Sequence, residues 1–307
     1  MLAYLAYRTL RALGTIAGVV TLVFALVRLV PGDPVEALLG EQASPEDRAL
    51  MRARLHLDDS LAVQYLRFLG DLADGSLGRS FRSDATVASQ IGEVAGDTAA
   101  LALAALLVAW LTALPLGILA ARFRGRAPDR VASALAVAGL AIPNIWLGPL
   151  LILLFGVRLR WLPLPGDDQA PLAALVLPAL TLGTALAATL TRQTRGALAD
   201  QLGAPYVVAA RARGLPPARV LRQALRNAAF PVLTVGAAQL GALLSGTVVV
   251  ETIFERRGLG TLFLDAFFAR DYPTVAGCAV VIASIYVLVN LLVDLLYGVI
   301  DPRVRLG

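Results

Sequence analysis

The 307 residues contain no lysine, so all 27 basic side chains are arginines. That absence excludes an ATP site of the GxxxxGK[ST] kind, whose lysine must reach the phosphates. A single histidine, His56, rules out the HExxH pair of a zinc protease. It has neither a GxSxG elbow to serve nor a Cys/His set to join, so no catalytic or metal site is expected. One cysteine, Cys278, leaves no intramolecular disulfide. Charge is scarce too: 16% of residues are charged and 58% hydrophobic, far from the profile of a soluble domain.

What the chain has instead is long apolar runs. Six segments, near 10–30, 98–121, 131–157, 172–191, 228–250 and 274–300, are long enough to cross a hydrocarbon core that needs roughly 20 residues. Most are rich in Ala, Leu, Val and Gly, and small residues let membrane helices approach closely. The expected fold is all-α and polytopic, with six transmembrane helices. Pro115, Pro143 and Pro149 lie within spans, where a freed carbonyl needs a neighbour or a water-lined cavity. Asp294 is read as an acid inside a span, near its inner end, and is expected to anchor to an interfacial arginine rather than relay protons. Ion-coupled transport therefore has little to work with.

The arginines set the orientation. Arg122, Arg124, Arg126 and Arg130 crowd one short loop, and Arg192 to Arg226 crowd the next loop on the same side. With six crossings Arg8, Arg11, Arg303 and Arg305 share that side, so both termini are expected in the cytoplasm. Positive-inside loops also explain the pI of about 9.9, and no nucleic-acid partner is expected. The first apolar run extends to Val30 without a small-x-small site, unlike a cleaved signal. Arg28 near its outer end is placed to snorkel.

Residues 31–97 form the one sizeable insertion outside the spans besides a basic stretch. Pro31-Gly32-Asp33-Pro34 reads as a turn. Ser44-Pro45-Glu46-Asp47 reads as an N-cap with a capping-box acid, starting a helix at about 45–55, and a second helix follows at about 61–73. The segment is too small for an assured core of its own. Contact with an external partner and simple shielding of helix ends both fit it.

The basic stretch is YVVAARARGLPPARVLRQALRNAAFP at 206–231. Tyr206 to Arg213 suits a short helix, which Gly214 can end in the left-handed conformation. Pro216 and Pro217 forbid continuation but suit the first turn of a second helix. There Val220, Leu221, Ala224, Leu225 and Ala228 share one face. Such an elbow fits either docking to another protein or lying on anionic lipid.

An ordered series of fragments resembles one family. It runs PGDP at 31–34, ASPED at 43–47, LHLDDSLAVQYLRFL at 55–69 and GSLGRSF at 75–81. It continues with IPNIWLG at 142–148, RLRWLPLPG at 158–166, YVVAARARGL at 206–215 and ALRNAAFPV at 224–232. RRGLGTLFLDAFFARDYPTVAG at 256–277 and DLLYGVIDPRVR at 294–305 complete it. Together these resemble the inner-membrane permease of an ABC importer of the dipeptide/oligopeptide/nickel type, over nearly the whole length.

The resemblance implies a type I importer permease fold with an extracytoplasmic helical insertion after the first helix. It implies a first helix at 1–30, a cap at 31–97, and a five-helix core at 98–307 containing a coupling (EAA) loop at 192–227. In that loop Tyr206, Ala209, Ala210, Arg211, Gly214, Leu215, Pro216, Arg226 and Asn227 would meet an ATP-hydrolysing subunit. The general motif's glutamate is Val208 here, and its leucine-proline is Arg226-Asn227 with the proline at Pro231, as in the peptide-permease branch. Gly258, Leu259, Gly260, Asp271 and Tyr272 would serve an external partner or gate, with Arg257 where a proline is common.

The implied partners are a second homologous permease making a heterodimer, two ATPase subunits, an extracytoplasmic substrate-binding protein, and the bilayer of a bacterial or archaeal cytoplasmic membrane. The chain itself would hold no cofactor, ATP and Mg belonging to the ATPases. Peptides are the implied substrate, with nickel chelate, haem, glutathione or another small solute as alternatives. A non-transporting scaffold or passive channel is the rival class. No substrate-binding residue is assigned.

Overall fold

The computed structural model describes residues 2–29, 33–40, 43–167 and 170–300, with the side chains at 2–6, 37, 240–242, 244, 245 and 294–300 left aside. The Asp294 side chain, Arg303 and Arg305 therefore lie outside the described residues, as do Pro31 and Gly32. In order the helices are α1 (Leu2–Leu29), α2 (Pro34–Leu39), α3 (Pro45–Arg54), α4 (Leu61–Ala73), α5 (Val87–Arg122), α6 (Ala127–Ala141) and α7 (Asn144–Leu151). A π-helical turn (Ile152–Arg158) follows, then α8 (Pro171–Leu202), α9 (Pro205–Ala212), α10 (Pro217–Ile253), α11 (Leu259–Phe268) and α12 (Tyr272–Ile300). Among the described residues strand pairing is confined to an isolated bridge, Arg79 to Thr86.

The all-α membrane architecture is as expected. Among the described residues Tyr7–Leu29, Val87–Arg122, Pro171–Leu202 and Tyr272–Val293 are long and apolar enough to span. The pair α6 and α7 with its π turn makes a fifth if counted as one. The expected span at 228–250 falls within α10, part of whose side chains lie outside the described set.

The span expected at 131–157 is not straight but bends by 104°. Pro143 is the cause. A residue before proline is pushed out of the α region, and Ile142 takes φ −88°, ψ 113°. Pro143 itself, at ψ 145°, opens the next helix. Pro149 then withholds its N–H from α7, and the chain leaves through the π turn.

The helices between residues 33 and 74 follow their local signals. The Ser44 hydroxyl accepts from the Asp47 N–H at 3.1 Å and donates to the Asp47 carboxylate at 2.7 Å. Ser60 caps α4 in the same position. The Asp33-Pro34 pair does more than turn the chain: Asp33 accepts from the Val35 N–H at 2.9 Å and Pro34 occupies the first position of α2.

Two compact units divide the chain, residues 1–98 with 257–307, and residues 99–256. In the first, α1 packs on α12 and also carries α4: Phe24 meets Tyr65 edge-on at 4.9 Å and Phe68 at 5.8 Å. Arg28 does not simply snorkel. It lies 3.6 Å over the Phe24 ring and donates to the Gln64 side chain at 3.0 Å.

The second unit is built on α8. Leu101, Ala105, Ala109 and Ala113 of α5 recur every four residues and bury against Leu177, Leu182, Leu186 and Leu190 of α8, with Val232, Leu243 and Val250 of α10. Thr181, Thr184, Thr189 and Thr191 return their hydroxyls to carbonyls four residues back, which satisfies those four within α8, while the buried Thr194 hydroxyl has no such partner among the described residues. Gly183 marks a close approach to backbone: a Cβ there would stand 2.8 Å from the Ala105 carbonyl oxygen. Backbone cannot step aside as a flexible side chain can, so Gly183→Val is expected to lower stability by about 2–3 kcal/mol. Thermal unfolding of the purified chain in detergent checks this.

Candidate functional site

The basic elbow is built by its own backbone chemistry. Pro205 opens α9, and Gly214 ends it at φ +76°. The Gly214 N–H donates to the Arg211 carbonyl at 2.9 Å and the Leu215 N–H to the Ala210 carbonyl at 3.2 Å, closing the last turn. Pro216 caps the next helix in extended conformation and Pro217 takes its first position. That second helix does not end before the expected span. It runs 37 residues to Ile253, through Pro231, so the elbow and the span at 228–250 are one continuous rod. Pro231 can donate nothing to the Asn227 carbonyl, which costs one bond without ending the helix.

A small core fixes the angle between the two helices. Val207, Ala210 and Val220 are buried together, with Tyr206 and Leu215 packed on them. The Tyr206 hydroxyl lies 2.8 Å from the Gln201 side-chain oxygen in the last turn of α8. Lower down, Ala224 and Ala228 bury against Leu198 of α8 and Ala121 of α5. The face read from the sequence is therefore the packed one. On the opposite side Val208, Ala209, Arg211, Gly214, Pro216, Arg226 and Asn227 are exposed. Val208 is 61% exposed. The candidate residues thus split: Ala210 packs inward, Tyr206 and Leu215 are half-buried, and the rest offer a surface. Val207 went unnoticed, although its i, i+3 spacing to Ala210 was a signal.

The candidates between Arg257 and Tyr272 also divide. Gly258 caps α11, and the buried Leu259 donates its N–H to the Thr98 hydroxyl at 2.8 Å. Gly260 is buried beside it. Asp271 is 4% exposed and gathers three donors: Ser80 Oγ at 2.5 Å, Thr274 Oγ1 at 2.7 Å and the Phe81 N–H at 3.0 Å. Tyr272, half-buried, sets its ring 6.5 Å from that of Phe81. So the GSLGRSF turn and the start of α12, 190 residues apart, are pinned together. These residues hold the GSLGRSF turn and the starts of α11 and α12 in place; of that stretch, Arg257 is exposed. Asp271→Ala leaves buried donors unanswered and is expected to cost roughly 2–3 kcal/mol locally. Hydrogen exchange would report it as faster exchange at the Phe81 amide.

A further pair went unread in the sequence. Asp129, in the first turn of α6, receives the Arg195 guanidinium of α8 through Nε at 2.5 Å and Nη2 at 3.0 Å, and the Gly125 N–H at 2.8 Å. The fork ties the arginine-rich loop to α8 seven residues before that helix ends. The acid directly after Ala127-Pro128 was the available signal, since acids favour a helix's first turn. Glu251 is likewise buried, near the end of α10, where the span was read as ending at 250. Among the described residues no group of three His, Cys, Asp or Glu is placed to hold a metal ion.

Residues 113–306 match the family described as "Binding-protein-dependent transport system inner membrane component", and residues 1–102 match "Binding-prot-dependent transport system membrane comp, N-term". The chain is 40% identical over 333 residues to the di/tripeptide transport system permease protein DppB of Pseudomonas aeruginosa (strain UCBPP-PA14), covering 99% of each. It is 38% identical over 336 residues to the dipeptide transport system permease protein DppB of Escherichia coli (strain K12), again 99% of each. The glutathione transport system permease protein GsiC of Salmonella typhimurium (strain LT2) is 39% identical over 306 residues, with 99% of each covered.

Proposed function

The chain belongs to the family of binding-protein-dependent transport system inner membrane components, and on that premise we propose that it is the transmembrane permease of an ATP-driven importer carrying di- or oligopeptides across the cytoplasmic membrane. Its partners are a second homologous permease, two ATPase subunits that hold ATP and Mg, and an extracytoplasmic binding protein that delivers the ligand. The chain supplies no ATP site of its own, in keeping with its lack of lysine. The arginine loops at 122–130 and 192–226 and both termini face the cytoplasm.

The observation that carries the mechanism is the elbow. Its exposed face at Val208, Ala209 and Arg211 stands on a hinge fixed by Gly214 and Pro217, and the second arm is a 37-residue rod reaching into the span. A push on α9 when the ATPases close is therefore delivered to α10 as rotation of a rigid body, because the Val207–Ala210–Val220 core leaves little slack. The bundle then alternates between outward- and inward-facing states. The outer group at Gly258 to Gly260, Asp271 and Tyr272 orders the surface that the binding protein meets.

The test is reconstitution of the complete transporter in proteoliposomes. ATP-dependent uptake of a labelled dipeptide that requires the binding protein supports the proposal. Uptake that proceeds without ATP, or without the binding protein, overturns it.

Glutathione, itself a tripeptide, is the second reading. The alignments to the two dipeptide permeases exceed the 307 residues of this chain, whereas the glutathione permease aligns over 306. Competition of unlabelled glutathione against dipeptide uptake separates the two.

A further inference from the structure

Between α6 and α8 lies a cavity of about 450 Å³, lined by Ser133, Val137, Thr189, Arg192, Gln193 and Arg195. Five of the six lining residues are polar, and the two charged ones are both cationic. Arg195 is held in place: two of its nitrogens are taken by Asp129, which fixes the guanidinium plane and leaves its remaining N–H groups for the cavity. Arg192, one turn earlier on α8, is exposed and makes no ion pair among the described residues. Asp129 offsets only one of the two positive charges, so the site keeps a net charge of about +1 (two arginines, one carboxylate).

The depth of the cavity selects the ligand. Arg192 directly follows the apolar stretch 172–191, and Ser133 is about two turns from the basic loop that precedes α6. Both place the site at the border between hydrocarbon and water. Val137 provides an apolar wall on the membrane side, itself 60% exposed, beside the exposed Val131, Leu135 and Leu140 of α6. Hydroxyls, an amide and two guanidinium groups on one side, with an open aliphatic face on the other, match a phosphate carrying acyl chains. Basic pockets between membrane helices on the cytoplasmic side bind anionic headgroups by this chemistry.

We propose that this cavity binds the phosphate of an anionic phospholipid of the inner leaflet, such as phosphatidylglycerol, and that Arg192 is its principal free cation. The leaflet rests on the cytoplasmic orientation proposed above; the binding itself does not. Occupancy would tie α6 to α8 at the point where α8 leaves the membrane and leads into α9, alongside the Asp129–Arg195 fork.

Native mass spectrometry of the full chain released from nanodiscs tests this. Discs containing phosphatidylcholine with and without one quarter phosphatidylglycerol are compared for wild type, Arg192→Gln, Thr189→Val and the control Arg126→Gln, which lies outside the cavity. The expected result is one retained phosphatidylglycerol in wild type and control. Its apparent affinity should fall about five-fold in Arg192→Gln, the scale of one arginine at an anionic surface, and less in Thr189→Val. Arg192 is exposed, so its replacement leaves the packing intact. Equal retention of the two lipids, or no loss in Arg192→Gln, overturns the proposal. Displacement of the lipid by millimolar inorganic phosphate or by a dipeptide also overturns it, marking instead a site for a soluble anion. The readout needs no ATPase and no uptake, so it fails or succeeds independently of the transport function.

Discussion

A Gly214→Val permease inserts and assembles normally but imports at about a tenth of the normal rate or less. The left-handed conformation costs an L-residue roughly 1–2 kcal/mol, more when the side chain is β-branched, and 1.4 kcal/mol is already about tenfold in a rate. Space is not the issue, since a Cβ at Gly214 would meet nothing within 4 Å. The whole effect comes from φ +76°, which valine escapes by opening the turn that the Gly214 and Leu215 N–H groups close. The angle between α9 and α10 then changes, and ATP hydrolysis proceeds without uptake. Asparagine tolerates the left-handed region, so Gly214→Asn should retain most of the activity and alanine should fall between. Paired measurements of ATPase stimulation and peptide uptake in proteoliposomes check the series. Normal uptake with normal stimulation in Gly214→Val would remove the coupling role from this hinge.

Asp129→Leu is expected to destabilise the chain by roughly 3 kcal/mol, because removing one partner strands the other charge. The stranded groups are the Arg195 guanidinium, whose side chain is 35% exposed, and the Gly125 N–H. Partial exposure of Arg195 keeps the effect at the low end of the range for buried pairs. The double variant Asp129→Leu/Arg195→Met should recover much of the loss, since a pair replaced whole is far less costly than a pair broken. A double-mutant cycle by thermal unfolding in detergent reads the difference. If single and double variants are equally unstable, the fork contributes only packing.

The legible features were those written in local backbone rules or in apolar length. Ser44-Pro45 announced α3, Gly214 and Pro217 announced the elbow, and the spans stood out by hydrophobicity. The bend at Pro143 was half legible: a proline was visible, but whether a helix kinks gently or turns by 104° depends on what packs on either side. Continuity of α10 was hidden for the same reason. Pro231 argues locally for a stop, and burial of Ala228 and Val232 on their neighbours outweighs one lost hydrogen bond. The Asp129–Arg195 fork joins residues 66 apart, and Asp271 joins partners 190 and 191 apart; such pairs leave no periodic trace. In the candidate site the polar and glycine positions were legible as a set. Which of them face outward was not, because that depends on the Val207–Ala210–Val220 core.

The central claim is that the exposed face of α9 docks on an ATPase subunit, and site-directed crosslinking tests it most directly. The chain's one cysteine, Cys278, is buried, so a single introduced cysteine reports cleanly. In the assembled transporter, Val208→Cys and Arg211→Cys should crosslink to the ATPase subunit, and the yield should change with ATP. Cysteine at the fully buried Val207, or at the exposed Leu50 of α3, proposed to face the opposite side of the membrane, should give none. An ATPase subunit that copurifies but fails to crosslink from positions 208 and 211, or crosslinks equally from position 50, would contradict the account.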